Sequence, residues 1–154
     1  MRKNIKLRVK NLIEKHGTTD PYKLCHRMGI IIEYKNLGST IKGYFTQNKG
    51  IMYIVLNTAF SEFAQKIILA HELGHAVLHS DQKTALMKTH FLHYSDSLEN
   101  EANKFAAELL INAYDNDNIE YCDYYCDEVS TDEFDRELLN RLREFRFSNR
   151  YRKV

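Results

Sequence analysis

Two histidines four residues apart, inside a long run with helical periodicity, constrain this chain more than any other feature. They lie in His71-Glu72-Leu73-Gly74-His75. On a helix of 3.6 residues per turn, positions i and i+4 share a face, with backbones ~6 Å apart. Two imidazoles so placed can converge on one zinc ion at ~2.0–2.1 Å each. The flanking residues favour that helix: Ile67, Ile68, Ala70, Leu73, Ala76 and Val77 form a wide apolar band between Ser61 and about His79. Glu72 is rotated by ~100° from His71, outside the same coordination sphere but within reach of a water on the ion. Zinc lowers the pKa of such a water toward ~7, so Glu72 can take its proton and pass it to a leaving amine. The bare pattern also recurs by chance on ordinary helices. Gly74 adds to it: a glycine inside a helix costs ~1 kcal/mol relative to alanine and makes sense where another backbone passes close by.

A zinc site of this kind needs a third ligand. His79 is one more turn on, but lies ~12 Å along the helix from His71, too far for one ion. It is expected to pack behind the site or support it. His90 and His93 stand in a polar, irregular segment and stay open as candidates. A second amphipathic helix is expected from about Asp96 or Ser97, with Leu98, Ala102, Phe105, Ala106, Leu109 and Leu110 as its apolar positions. Taking ~100° per residue from Leu98, the apolar face centres near ~40°. Glu99 falls near ~100° and Glu101 near ~−60°, so Glu99 is the carboxylate expected to point inward and Glu101 is the alternative. A carboxylate facing a core is costly unless paired or bound to a metal. A first-turn acid favoured by the helix dipole is the plainer reading of Glu99. Asn103, one turn after Glu99, could hydrogen-bond a ligand imidazole from behind.

These two segments, His71 to His79 and Glu99-Asn100-Glu101-Ala102-Asn103-Lys104-Phe105-Ala106-Ala107-Glu108-Leu109-Leu110, resemble the ImmA/IrrE family of metallo-endopeptidases. Gly43-Tyr44-Phe45 and Ile54-Val55-Leu56-Asn57 also resemble its pattern, and the likeness spans roughly residues 20–112. The resemblance implies a zincin-like fold and a Zn2+ cofactor. It implies ligand roles for His71, His75 and Glu99, with Glu72 as the general base. It further implies a protein substrate, a helix-turn-helix repressor of a phage or mobile element. A non-proteolytic antirepressor that binds the repressor, with zinc as a brace, is the alternative. The chain departs from the family pattern after Leu110, where Ile111-Asn112 replaces an apolar residue and proline.

The remaining sequence suggests one α+β domain over residues 1–154: helices packed on a small antiparallel sheet, with a motif-bearing core at about 20–112 and a variable region at 113–154. Ile5, Val9, Leu12 and Ile13 space a helix that Gly17 ends, and Asp20-Pro21 starts a shorter one that stops at Gly29. Ile30 to Tyr34, Tyr44 to Thr46 and Ile51 to Leu56 read as strands, the last two joined through Gln47-Asn48-Lys49-Gly50. Ser130 and Glu133 fit a capping box for a last helix through Phe134, Leu138, Leu139, Leu142 and Phe145.

No run approaches the ~18 apolar residues of a membrane span, and the basic N-terminus lacks the apolar stretch of a signal peptide. The three cysteines, Cys25, Cys122 and Cys126, suggest no disulfide framework, so a cytoplasmic location with reduced thiols is expected. Cys122 and Cys126 alone do not make a structural zinc site. The tail is basic through Arg141, Arg143, Arg146, Arg150, Arg152 and Lys153, interleaved with Phe145, Phe147 and Tyr151. With a net charge of only +1, a solvated helix is expected there rather than direct nucleic-acid binding. Tyr44, Tyr53, Tyr121 and Tyr125 are each able to stabilise an oxyanion, and the sequence selects none of them. Nor does it set an oligomeric state.

Overall fold

Local signals start the chain. In the computed structural model, which describes residues 4–80, 97–112 and 133–148, helix α1 runs Ile5–His16. The Asn4 side chain caps it by accepting from the Leu7 amide, and Gly17 closes it at φ 67°. Helix α2, Pro21–Arg27, has Asp20 as its cap and proline at its first position, where a missing N–H costs nothing. Strand β1 covers Ile31–Lys35, β2 Gly43–Asn48 and β3 Ile51–Asn57. Helix α3 spans Glu62–Leu78, capped by the Ser61 hydroxyl on the Ala64 amide at 3.0 Å. Helix α4 spans Ser97–Asn112 and α5 spans Glu133–Ser148. Ser130, the expected cap of α5, lies outside the described residues.

The fold is mixed α and β as expected, five described helices with a small three-stranded sheet. The sheet corrects one expectation, because it is not wholly antiparallel. Its order is β1-β3-β2. β2 and β3 form the expected hairpin, from Gly43 opposite Leu56 to Asn48 opposite Ile51. Lys49 and Gly50 both take positive φ, 51° and 80°, as a two-residue hairpin loop with the right twist demands. β1 instead lies parallel to β3, from Ile31 opposite Tyr53 to Lys35 opposite Asn57. The reason is the link at 36–42, which passes the end of β3 to reach its far edge. Asn57 holds that link. Its amide nitrogen donates to the Gly38 and Ile41 carbonyls at 2.8 and 2.6 Å, and its oxygen accepts from the amides of Leu37 and Ala59. All of its polar capacity is used at a fully buried position.

Helix α3 lies between the sheet and the other helices. It packs on β2 and β3 on one side and on α4 on the other, so most of its length is buried. Two glycines allow these approaches. A Cβ on Gly43 would meet the Val55 carbonyl oxygen at 2.7 Å and Ile68 Cγ2 at 2.8 Å. A Cβ on Gly74 would meet Phe105 Cβ at 3.0 Å and Ala102 Cα at 3.2 Å. The close backbone passage expected of Gly74 is therefore the contact with α4. Ile54, Leu56, Ile68, Leu69, Leu73, Phe105 and Leu109 are fully enclosed in the core this creates. α5 covers α4 with Leu138, Leu139 and Leu142. α1 packs on α4 as well, and Arg8 donates from its guanidinium to the Val77 carbonyl near the end of α3, at 3.2 Å. Among the described residues, no helix is long and apolar enough to cross a membrane.

Candidate metal centre

The contact at Gly74 brings the first turn of α4 beside the middle of α3, and three side chains converge there. His71 Nε2 lies 3.1 Å from Glu99 Oε2, and His75 Nε2 lies 2.9 Å from Glu99 Oε1. The two imidazole nitrogens are 3.2 Å apart. Their rings meet edge to face, with centroids 4.8 Å apart. Both histidines are fully buried and Glu99 is buried.

The arrangement has the spacing of a coordination shell. Ligand atoms at ~2.0–2.1 Å around a tetrahedral ion stand ~3.3 Å from one another. The three separations here, 3.1, 2.9 and 3.2 Å, approach that value with the shell drawn slightly inward. Two nitrogen lone pairs and a carboxylate crowded together out of water need positive charge among them. Protons or a metal ion can supply it, and this nitrogen and oxygen donor set suits zinc. Among the described residues, His71, His75 and Glu99 form the cluster able to hold a metal ion, with ligand atoms all within 4.8 Å of one another.

The electrostatics favour binding. Burial lowers the basicity of His71, and the neighbouring His75 adds to this, against the opposing pull of Glu99. A neutral imidazole keeps its lone pair for a metal. Burial alone would raise the Glu99 carboxyl, but hydrogen bonds from His71 and His75 outweigh it and hold Glu99 at about 2. Glu99 is thus a carboxylate at any ordinary pH.

Glu72 is fully buried on α3, next in sequence to His71. Asn103 is fully buried one turn after Glu99. Its amide acts on His71 and favours the charged imidazole, although neither amide atom reaches good hydrogen-bond geometry. His79 does not join the cluster. It is buried behind His75, the two Nδ1 atoms 3.0 Å apart. Glu101 turns toward His79 rather than the cluster, with Oε2 3.7 Å from His79 Nε2. Tyr44 and Tyr53 are partly buried on β2 and β3. His90, His93, Tyr121, Tyr125, Cys122, Cys126, Arg150, Arg152 and Lys153 lie outside the described residues.

Sequence reasoning missed two features. One was the structural role of Asn57, signalled only by a polar residue closing an apolar strand. The other was the pairing of Glu101 with His79.

Comparison with known proteins settles the lineage. The model of a peptidase family, the IrrE N-terminal-like domain, matches residues 25–141. The chain belongs to this family. The IrrE N-terminal-like match spans both segments that carry the cluster, and it reaches into α5. An uncharacterized immunity region protein 2 of Bacillus phage phi105 is 39% identical over 107 residues, covering 70% of this chain and 68% of that protein. Metallopeptidase ImmA of Bacillus subtilis (strain 168) is 31% identical over 109 residues, covering 71% of this chain and 64% of that protein. The chain thus aligns with about two thirds of the length of each relative. No solved structure gives a significant match. Membership in this family makes the chain one of a group of peptidases, and the relation to a metallopeptidase implies a metal.

Proposed function

We propose that this chain is a zinc-dependent endopeptidase that hydrolyses a peptide bond in a regulatory protein. The observation that carries the reading is the convergence of His71 Nε2, His75 Nε2 and the Glu99 carboxylate at the spacing of a tetrahedral shell, with Glu72 next to the first ligand. His71, His75 and Glu99 would hold the ion. A bound zinc ion would polarise the scissile carbonyl and acidify water. Glu72 is the general base: its carboxylate accepts a proton from the attacking water and delivers it to the leaving amine nitrogen, so the peptide bond breaks to a carboxylate and an amine. Burial favours the neutral His71 imidazole, which keeps its lone pair available.

The substrate in this reading is a helix-turn-helix repressor of a phage or mobile element. Support comes from the family and from the phage relative named for an immunity region. In this reading the enzyme acts in the cytoplasm. Co-expression with a helix-turn-helix repressor of the same phage or mobile element, followed by mass spectrometry, tests this directly. Defined repressor fragments are expected.

One observation favours a second reading. The cluster joins α3 to α4 without using Glu72, so a metal there would also brace the fold, as an antirepressor that binds without cutting requires. In that case the repressor is recovered intact, in complex with this chain.

A further inference from the structure

His75 presents one ring nitrogen to the cluster and the other to His79. Its Nε2 lies 2.9 Å from Glu99 Oε1, while its Nδ1 lies 3.0 Å from His79 Nδ1. Both rings are buried, with His79 only 1% exposed, so bulk water competes little for that contact. Two imidazole nitrogens in a hydrogen bond share one hydrogen between them. When a neutral His75 gives the Nε2 lone pair to a metal, its hydrogen must sit on Nδ1. His79 Nδ1 must then be the bare acceptor, and a neutral His79 carries its own hydrogen on Nε2. Glu101 Oε2 stands 3.7 Å from that nitrogen, beyond a direct hydrogen bond but within ion-pair reach. Its negative charge favours a hydrogen at His79 Nε2 over one at Nδ1. Each link therefore selects the state the next one needs. The links come from both helices, His75 and His79 from α3 and Glu101 from α4, so the packing at Gly74 that forms the cluster also aligns them.

We propose that His79 and Glu101 are positioning residues for His75, a two-link chain that fixes its tautomer and ring orientation for metal binding. The proposal rests on the reading of His71, His75 and Glu99 as a metal centre. It goes beyond that reading by giving roles to two residues that touch no metal. Partners behind a ligand histidine typically change metal affinity by ~10–100-fold.

The test is zinc affinity of the metal-stripped chain, by competition with a chromophoric chelator. His79→Phe, which removes the acceptor, should weaken zinc binding ~10–100-fold. His79→Asn, whose Oδ1 can take the place of Nδ1, should recover most of that loss. Glu101→Gln should cause a smaller loss, and none in the His79→Phe background. Nitrogen NMR of the zinc-loaded wild-type chain adds a readout that needs no variant: hydrogens are expected on His75 Nδ1 and His79 Nε2. A hydrogen on His79 Nδ1 overturns the proposal. So does a His79→Phe affinity equal to wild type, an asparagine variant no better than phenylalanine, or a Glu101→Gln effect undiminished in the double variant. A wild-type chain that binds no zinc overturns the metal-centre reading itself, whereas zinc bound equally by all variants overturns the relay alone.

Discussion

The Cα of Gly74 lies so close to Phe105 that a side chain there would come 3.0 Å from the Phe105 Cβ. The helix with both histidines and the helix with Glu99 therefore touch where a side chain larger than glycine's would crowd its neighbours. Gly74→Ala gains ~1 kcal/mol of helix propensity. It also forces a methyl against Phe105 and the Ala102 backbone, and overpacking of that kind costs ~1–3 kcal/mol. The backbone atom cannot rotate away, so a net loss of ~1 kcal/mol is expected in urea unfolding. Zinc affinity should fall as well, because the methyl displaces α4 and Glu99 with it. A stabilised variant with unchanged zinc affinity would refute this.

Glu99 and Glu101 are two residues apart but face different partners. Glu99 spans the His71 and His75 imidazoles, while Glu101 faces His79. Glu99→Gln removes the negative donor and should weaken zinc binding by more than the ~100-fold that bounds supporting residues. Glu101→Gln should stay well within that bound. Calorimetric titration of both variants checks the order, and a reversed order would remove Glu99 from the centre.

Cys25 reports on the fold through pH. Burial, helped by the charge of Asp20, pushes its thiol up to about 12, against ~8.5 in an unfolded chain. Between these values the unfolded chain releases a proton that the folded one keeps. The stability tied to this thiol is therefore complete below ~8.5 and declines as pH rises toward about 12, at up to ~1.4 kcal/mol per pH unit. The urea midpoint should drop between pH 8 and pH 10, and Cys25→Ala should flatten that drop. An equal slope in the variant would contradict the burial argument.

Much of this arrangement was legible because its signals are local. Asp20-Pro21, Ser61 and Gly17 mark helix ends through contacts within a few residues. The i, i+4 spacing of His71 and His75 fixes their shared face whatever surrounds them. Gly74 announced a close neighbour through its cost in a helix, though not that the neighbour would be Phe105. The parallel pairing of β1 with β3 was not legible, since it depends on how residues 36–42 cross the sheet end and wrap Asn57. Glu101 stands off the centre of the apolar face of α4. What attracts it is a buried histidine on another helix, which a helical wheel does not show.

The central claim is hydrolysis with Glu72 as the base, and Glu72→Gln tests it most directly. The substitution keeps shape and hydrogen-bonding capacity, leaves His71, His75 and Glu99 in place, and removes the proton acceptor. Zinc content and repressor cleavage should be measured together, in the variant and the wild type co-expressed with the same repressor. One zinc ion per chain should be retained, with cleavage reduced by ~10²–10⁴-fold or more. A zinc-loaded Glu72→Gln variant that cuts the repressor at the wild-type rate would contradict the claim.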